Sequence, residues 1–311
     1  MSSRLTGYFY CALAMIGVGS TVVASKMIAH GLPPFTATAL RFAIALPLFV
    51  LLMKLTRQRW PRVSRGEAVL LVVQSASGSV GYTVLLLIGM RMTSATDAGV
   101  IAGTLPAVAA LVAVVALRER PGALTIGAVA LATAGVLVCT VRAGDSVSAA
   151  GAATTWLGNV CIIAAVLCEA LFILLNKRLR TSVTPLQMST LMSGIGLALS
   201  LVPALIERPW TLGYDGPAVA GVVYYAFVPT VAGFLLWFAG AARIAGAQAS
   251  ALTAFVPVSA AAFAAVVLHE RVTAAQWGAM ACVLAAVLLI ACDGAHLGKQ
   301  ARVSLVKYWA R

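Results

Sequence analysis

The sequence predicts an all-α integral membrane protein: ten transmembrane helices, built as two inverted five-helix repeats, with both termini in the cytoplasm. Three observations lead there. Hydrophobic residues make up 61% of the 311 and charged residues only 10%, with a mean hydropathy of +0.99. Soluble domains run nearer ~45–50% apolar and ~25% charged. The apolar residues also fall in runs of roughly 20, enough to cross a hydrocarbon core ~30 Å thick. Finally, one gapless shift lays the second half of the chain over the first. Gly7 falls on Gly158, Lys26 on Lys177, Pro34 on Pro185 and Gly89 on Gly240; Pro106 falls on Pro257, Glu119–Arg120 on Glu270–Arg271 and Gly127 on Gly278. The closest stretch sets residues 117–138 against 268–289. A period this long in so apolar a chain marks a duplicated membrane bundle.

Apolar runs between polar punctuation place helices near 7–29, 36–54, 67–90, 97–117 and 122–141, and again near 156–176, 185–206, 218–241, 247–268 and 274–293. The joints carry chain-breaking and polar residues: HGLPP at 30–34, the basic run from Arg57 to Arg65, RERPG at 118–122, ERP at 207–209 and GYDGP at 213–217. The small, polar stretch at 142–155 is the expected linker between halves. The chain thus divides into a first repeat at 1–145, a second at 146–295 and a basic cytoplasmic tail at 296–311. Residues 1–27, with Arg4 ahead of an apolar stretch and VVAS at 22–25, have the outline of a signal peptide. Their match to the internal span at 158–177 argues instead for a retained first helix.

The net charge of +13 could suggest a nucleic-acid partner, but the Lys and Arg residues punctuate the apolar runs instead of lining one face. Topology explains them better. With the N-terminus inside, 16 of the 22 basic residues fall on the cytoplasmic side and five (Lys26, Arg91, Arg142, Arg208 and Arg271) on the other. That asymmetry follows the positive-inside rule. Five spans per repeat is an odd number, so the two copies enter the membrane in opposite senses. Such repeats place a binding site near the midplane, where the halves meet. The six cysteines lie in apolar segments without metal-ligand spacing, and His30, His269 and His296 are scattered. No disulfide framework, metal or cofactor is expected.

Several short motifs stand in order along the chain: ALRF at 39–42, Pro106 in the fourth span, Glu-Arg pairs after spans four and nine, then Gly127, Gly278 and GV at 135–136. On these residues the chain resembles the drug/metabolite transporter superfamily, and within it the ten-helix exporters made of two EamA-type repeats. The resemblance implies a non-enzymatic exporter in the inner membrane that moves small metabolites, amino acids first among them, or toxic cations, or nucleoside or sugar derivatives. The overall pattern is most similar to that of the aromatic amino acid and paraquat exporters. Two departures stand out. Arg118 and His269 precede the Glu where many members have a small residue, and Arg41 has no counterpart, since position 192 is Met.

Of the nine acidic residues, Glu169 alone falls in the middle of a span. A carboxylate there must face protein or water rather than lipid, which makes it a candidate proton- or cation-binding group; the plainer reading is a buried structural carboxyl. The third span is polar at its centre, with Gln74, Ser75, Ser77, Gly78, Ser79, Tyr82 and Thr83. Its Ser and Gly residues suit helix packing, whereas Gln74 and Tyr82, eight apart, share a face and suit a solute. In the eighth span, Tyr224, Tyr225 and Thr230 are expected to face a cavity, where aromatic rings stack on planar or cationic groups. Trp237, nearer the cytoplasmic end, reads as an anchor or core residue. Pro106 and Pro257 are expected to kink spans four and nine and to free carbonyls near Ala102 and Thr253. Asn159, Gln248, Ser250 and Thr253 are further polar candidates. Lys26 and Arg41, near outer span ends, are explained by snorkelling. The Glu-Arg pairs are expected to fix helix ends.

The expected partners are therefore a small-molecule substrate, the lipid bilayer and protons, with no nucleic acid and no required oligomer. A membrane-embedded transferase would need clustered acids or paired His and Asp. The nearest acidic neighbours, Glu207 and Asp215, lie on a loop. A channel, receptor or scaffold forms a third class, and inverted halves with kinked helices suit alternating access better than a static pore.

Overall fold

The computed structural model describes residues 3–61, 63–105, 107–109, 111–112, 123–142, 149–176, 183–211, 213, 215–241, 243–244, 252 and 255–289. Among these residues the regular structure is entirely helical. The segments are α1 (Ser3–Gly31), α2 (Pro34–Leu55), α3 (Arg65–Met90), α4 (starting with Ala95–Ala102) and α5 (Ala123–Arg142). They continue with α6 (Ala149–Asn176), α7 (Pro185–Ile206) and α8, which runs through Gly216–Tyr225, Ala226–Ala232 and Gly233–Ala241. The last are α9 (Phe255–Val267) and α10 (Ala274–Leu289). Six of them (α1, α2, α3, α6, α7 and α8) are long and apolar enough to cross a membrane, and shorter apolar stretches lie in α5, α9 and α10. The expected linker is shorter than its composition suggested. Residues 149–155 are the first turns of α6, consistent with the helix propensity of their alanines. Residues 143–148 and the tail at 296–311 lie outside the described residues.

Helix starts follow local chemistry. Ser64 with Glu67 and Thr184 with Gln187 form capping boxes at the heads of α3 and α7, and Thr273 with Gln276 repeats the exchange before α10. Asp215 caps α8 by accepting from the Ala218 N–H at 3.0 Å. Helices α2 and α7 begin with proline, which fits the first helical position.

The repeat seen in the sequence is reproduced in the backbone. Helices α2 and α7 have 22 residues each, in the register that pairs Pro34 with Pro185. Each is followed by a residue in the left-handed region, Arg57 with φ 52° and its equivalent Arg208 with φ 51°. Helices α3 and α8 each widen into seven residues of π-helix, Ser75–Gly81 and Ala226–Ala232, again in register.

The packing is cross-wise. Helix α1 packs on α8 and α9, while its equivalent α6 packs on α3 and α4; α2 packs on its own equivalent α7, and α4 on α9. Two glycine crossings carry this exchange. At Gly7 and Gly240, where α1 meets α8, a Cβ on Gly240 would come 2.9 Å from the Gly7 carbonyl. At Gly89 and Gly158, where α3 meets α6, a Cβ on Gly89 would come 2.9 Å from the Gly158 carbonyl. The glycines that matched along the sequence thus meet in space as two equivalent pairs, letting backbones approach closely. The largest apolar core is shared, with Val22, Leu86, Ile101, Ile162, Val222 and Ala260 drawn from both halves.

Hydrogen bonds sort the helix ends into two groups. At one end, Glu207, after α7, accepts from the N–H groups of Phe35 and Thr36 at 3.1 and 2.7 Å and from the Thr36 hydroxyl. Glu270, after α9, does the same for Ala95 (3.0 Å) and Thr96 (3.1 Å). Arg91 donates to the carbonyls of Ala29 and Leu32, tying the two turns together. At the opposite end, Gln187 donates to the Arg59 carbonyl at 2.8 Å and Thr184 to Gln58 at 2.6 Å. The start of α2 therefore lies beside the finish of α7, and the start of α4 beside the finish of α9. Helix α2 runs opposite to its own equivalent, the geometry of an inverted repeat.

Candidate functional site

The π-helical turns of α3 and α8 lie at the centre of the bundle. Pro229 sits inside the α8 turn. It has no N–H to give, and its ring crowds the carbonyl four residues back, that of Tyr225, so the helix widens. The Thr230 hydroxyl satisfies the displaced Tyr225 carbonyl at 2.8 Å. In α3 the equivalent of Pro229 is Gly78, where the helix is pressed against the Phe172 side chain of α6. There the Ser79 carbonyl accepts from the Thr83 hydroxyl at 3.0 Å and from Arg41 Nη2 at 3.0 Å.

Arg41 is the organising charge of this centre. It projects from α2, is only 7% exposed, and lies with its guanidinium 4.2 Å from the Phe42 ring centroid and 4.8 Å from that of Tyr225. Both are cation–π distances. Its Nε has no hydrogen-bond partner. The Tyr225 side chain is buried, and the phenols of Tyr225 and Tyr82 both reach the Thr21 hydroxyl of α1. Glu169, half-buried on α6, lies within electrostatic range of Arg41, Tyr82 and Tyr225. Five helices, α1, α2, α3, α6 and α8, thus bring one cation, one carboxylate, two phenols and a hydroxyl together.

Of the residues singled out in the sequence, Ser79, Tyr82, Glu169, Tyr225 and Thr230 belong to this centre. Gln74 and Ser75 are buried beside it and tie helices together: Gln74 Nε2 donates to the Phe172 carbonyl and Ser75 to the Met192 carbonyl, both at 3.3 Å. Gln74 Oε1 and the Ser193 hydroxyl have no partner. Gly78 serves the close crossing just described. Asn159 is fully buried at the end marked by Glu270, accepting from the Thr93 hydroxyl at 2.6 Å. Pro257 is buried in α9 against Gly103. Pro106, Gln248, Ser250 and Thr253, with Glu119 and Arg120, lie outside the described residues.

One expectation needs correction, and one residue stands apart from the buried group. Tyr224 is 38% exposed. It belongs to an exposed stripe with Val223, Phe227 and Val228, in which Val223 and Tyr224 are the equivalents of exposed Val72 and Val73 on α3, and its hydroxyl donates to Ser20 Oγ at 2.7 Å. Neighbouring helical residues point ~100° apart, so Tyr225 can be buried while Tyr224 is exposed. Arg41 does not snorkel, and Lys26 donates to the Thr93 carbonyl rather than reaching for open water. The equivalent of Arg41, Met192, is buried too, at 1% exposed. Thr21 was missed because small hydroxyl residues such as Ser20 and Thr21 in an apolar helix read as helix packing.

Antiparallel helical repeats closing on a buried charged centre define a class, that of membrane transporters built on internal symmetry. The chain belongs to the EamA-like transporter family, whose pattern matches residues 5–141 and again 156–292, placing it in the drug/metabolite transporter superfamily. It is 30% identical over 292 residues to the uncharacterized transporter YetK of Bacillus subtilis, covering 93% of this chain and 88% of that protein. It is 24% identical over 239 residues to the uncharacterized inner membrane transporter YicL of Salmonella typhimurium, covering 76% of this chain and 78% of that one. A solved crystal structure of a protein 20% identical in sequence shares the fold with a TM-score of 0.63, covering 95% of this chain and 98% of the other.

Proposed function

We propose that this transporter exports small amphipathic metabolites, above all amino acids and including aromatic ones, across the inner (plasma) membrane by alternating access. The carrying observation is the central group: a buried guanidinium, a carboxylate and two phenols are gathered where the repeats interlock. In this reading the chain crosses the membrane ten times as repeats 1–145 and 146–295, with the basic tail 296–311 and both termini inside. The end holding Arg57, Arg59 and Arg243 is cytoplasmic, and the end holding Glu207 and Glu270 faces out. The bundle works as a monomer, and the repeats exchange conformations about the centre. A toxic-cation exporter fits less well, because Arg41 at the centre repels a bare cation.

The test is counterflow in proteoliposomes. Internal unlabelled L-phenylalanine should accelerate uptake of the labelled compound, which an open channel does not do. Absence of counterflow with every amino acid tried would reject the reading. Glu169→Gln should remove stimulation by a pH gradient, and unchanged pH dependence would reject proton coupling at that carboxylate. Cysteines introduced at 60 and 212 should label from opposite sides of the membrane; labelling from one side would sink the ten-span topology.

A further inference from the structure

The central group contains an arginine whose bonding is incomplete. Arg41 presents five N–H donors in a planar fork, yet its partners are neutral, the Ser79 carbonyl on Nη2 and the Tyr225 side chain, and Nε bonds nothing. The residue is more than nine-tenths buried. A cation so far from water is unfavourable without a bonded anion. The aromatic rings of Phe42 and Tyr225 hold the plane of the guanidinium, but neither supplies an anion to the Nε side. Glu169 comes from the opposite repeat and reaches Arg41 only through space. Neither charge has a counterpart in the other copy: Met192 replaces Arg41 and Val18 replaces Glu169. A packing role would serve both halves alike, whereas this pair departs from the symmetry in the one region that a solute would occupy.

We infer that Arg41 is the receptor for the carboxylate of the transported solute, with Glu169 receiving its ammonium group. The Nε edge matches the two oxygens of a carboxylate, which a guanidinium fork binds bidentately. A zwitterion therefore satisfies the buried guanidinium and the half-buried carboxylate at once, and its side chain is left against Tyr82 and Tyr225. This assignment rests on the amino-acid reading above and adds which residue reads which end of the molecule.

The experiment is direct binding to the purified protein in detergent by calorimetry, with three probes: L-phenylalanine, its amide, which lacks the carboxylate, and N-acetyl-L-phenylalanine, which lacks the ammonium group. Wild-type protein should prefer L-phenylalanine to either by at least about 30-fold, the scale of a charged hydrogen bond. Arg41→Gln should weaken L-phenylalanine and the N-acetyl compound by a similar factor and leave the amide within about threefold. Glu169→Gln should do the reverse. Equal weakening of all three probes by Arg41→Gln, or none, overturns the assignment while leaving the transport reading intact. Should Arg41→Gln not fold, the wild-type ranking and Arg41→Lys decide: an amide bound as tightly as L-phenylalanine overturns it. Wild-type protein that binds none of the three overturns the amino-acid reading and this assignment together.

Discussion

The two repeats share a backbone and differ in what they hang on it. Helices α2 and α7 match in length, helix ending and register, and α3 and α8 widen at the same place. At the centre the side chains diverge: Arg41 against Met192, Tyr225 against Gln74, Tyr82 against Gly233, Thr21 against Phe172, Glu169 against Val18. In the proposed alternating-access cycle the shared part exchanges conformations between two related end states. The unshared part is then where the proposed solute, not itself symmetric, is recognised.

The sharpest way to break this comparison is to impose one copy on the other. Met192 is 1% exposed in a cluster with Leu71 and Met188, so Met192→Arg places an unpartnered charge in an apolar core. The expected loss is about 3–5 kcal/mol, enough to prevent folding. The reciprocal Arg41→Met should fold at least as well as wild type, because it removes an incompletely bonded buried cation, and should abolish counterflow of L-phenylalanine. Thermal unfolding followed by size-exclusion chromatography separates the two. A destabilised Arg41→Met would show that Arg41 is a structural group.

The glycine crossings test the symmetric part. Gly89→Ala and Gly240→Ala each push a methyl into a backbone carbonyl of the crossing helix, 2.9 Å away in both cases. Overpacking of this kind costs about 1–3 kcal/mol, and the two losses should agree within about 0.5 kcal/mol because the sites are equivalent. A large disparity in melting temperature between the variants would mean that the crossings do not bear load alike.

Much of this frame was legible in the chain. The offset that set Gly7 on Gly158 and Gly89 on Gly240 found the crossing residues, and the Glu-Arg pair at 270 was read as fixing a helix end, as Glu270 does for α4. Three things were hidden for physical reasons. The π turns depend on where a displaced carbonyl finds its next donor, which hydrophobic periodicity does not encode. Arg41 near a span end has the same hydropathy whether it turns to water or to Tyr225. The first turns of α6 were hidden by their Gly and Thr residues, which made an alanine-rich helix start look like a linker.

Smaller effects belong to the end holding Glu207 and Glu270. Each carboxylate satisfies two orphan N–H groups and one hydroxyl at the head of a first-repeat helix. Glu207→Ala and Glu270→Ala should each cost about 1–2 kcal/mol, the scale of a lost N-terminal cap, with Gln restoring part. Equal melting-temperature shifts would show that α2 and α4 are held alike, whereas no shift for either would remove these contacts from the stability of the fold.

The smallest expected effect separates adjacent tyrosines. Tyr224 shares the exposed stripe of α8, so Tyr224→Phe removes one hydrogen bond to Ser20 and should cost about 0.6 kcal/mol, the mean for polar pairs in membranes. L-phenylalanine binding should not move. Tyr225→Phe, one residue on, withdraws a phenol from the buried group around Arg41 and Thr21 and should change the ranking of the three probes with little change in melting temperature. The pair of variants thus reads which face of α8 carries recognition. A shift in ranking from Tyr224→Phe and none from Tyr225→Phe would put the solute on the wrong side of the helix and undo the assignment of the centre.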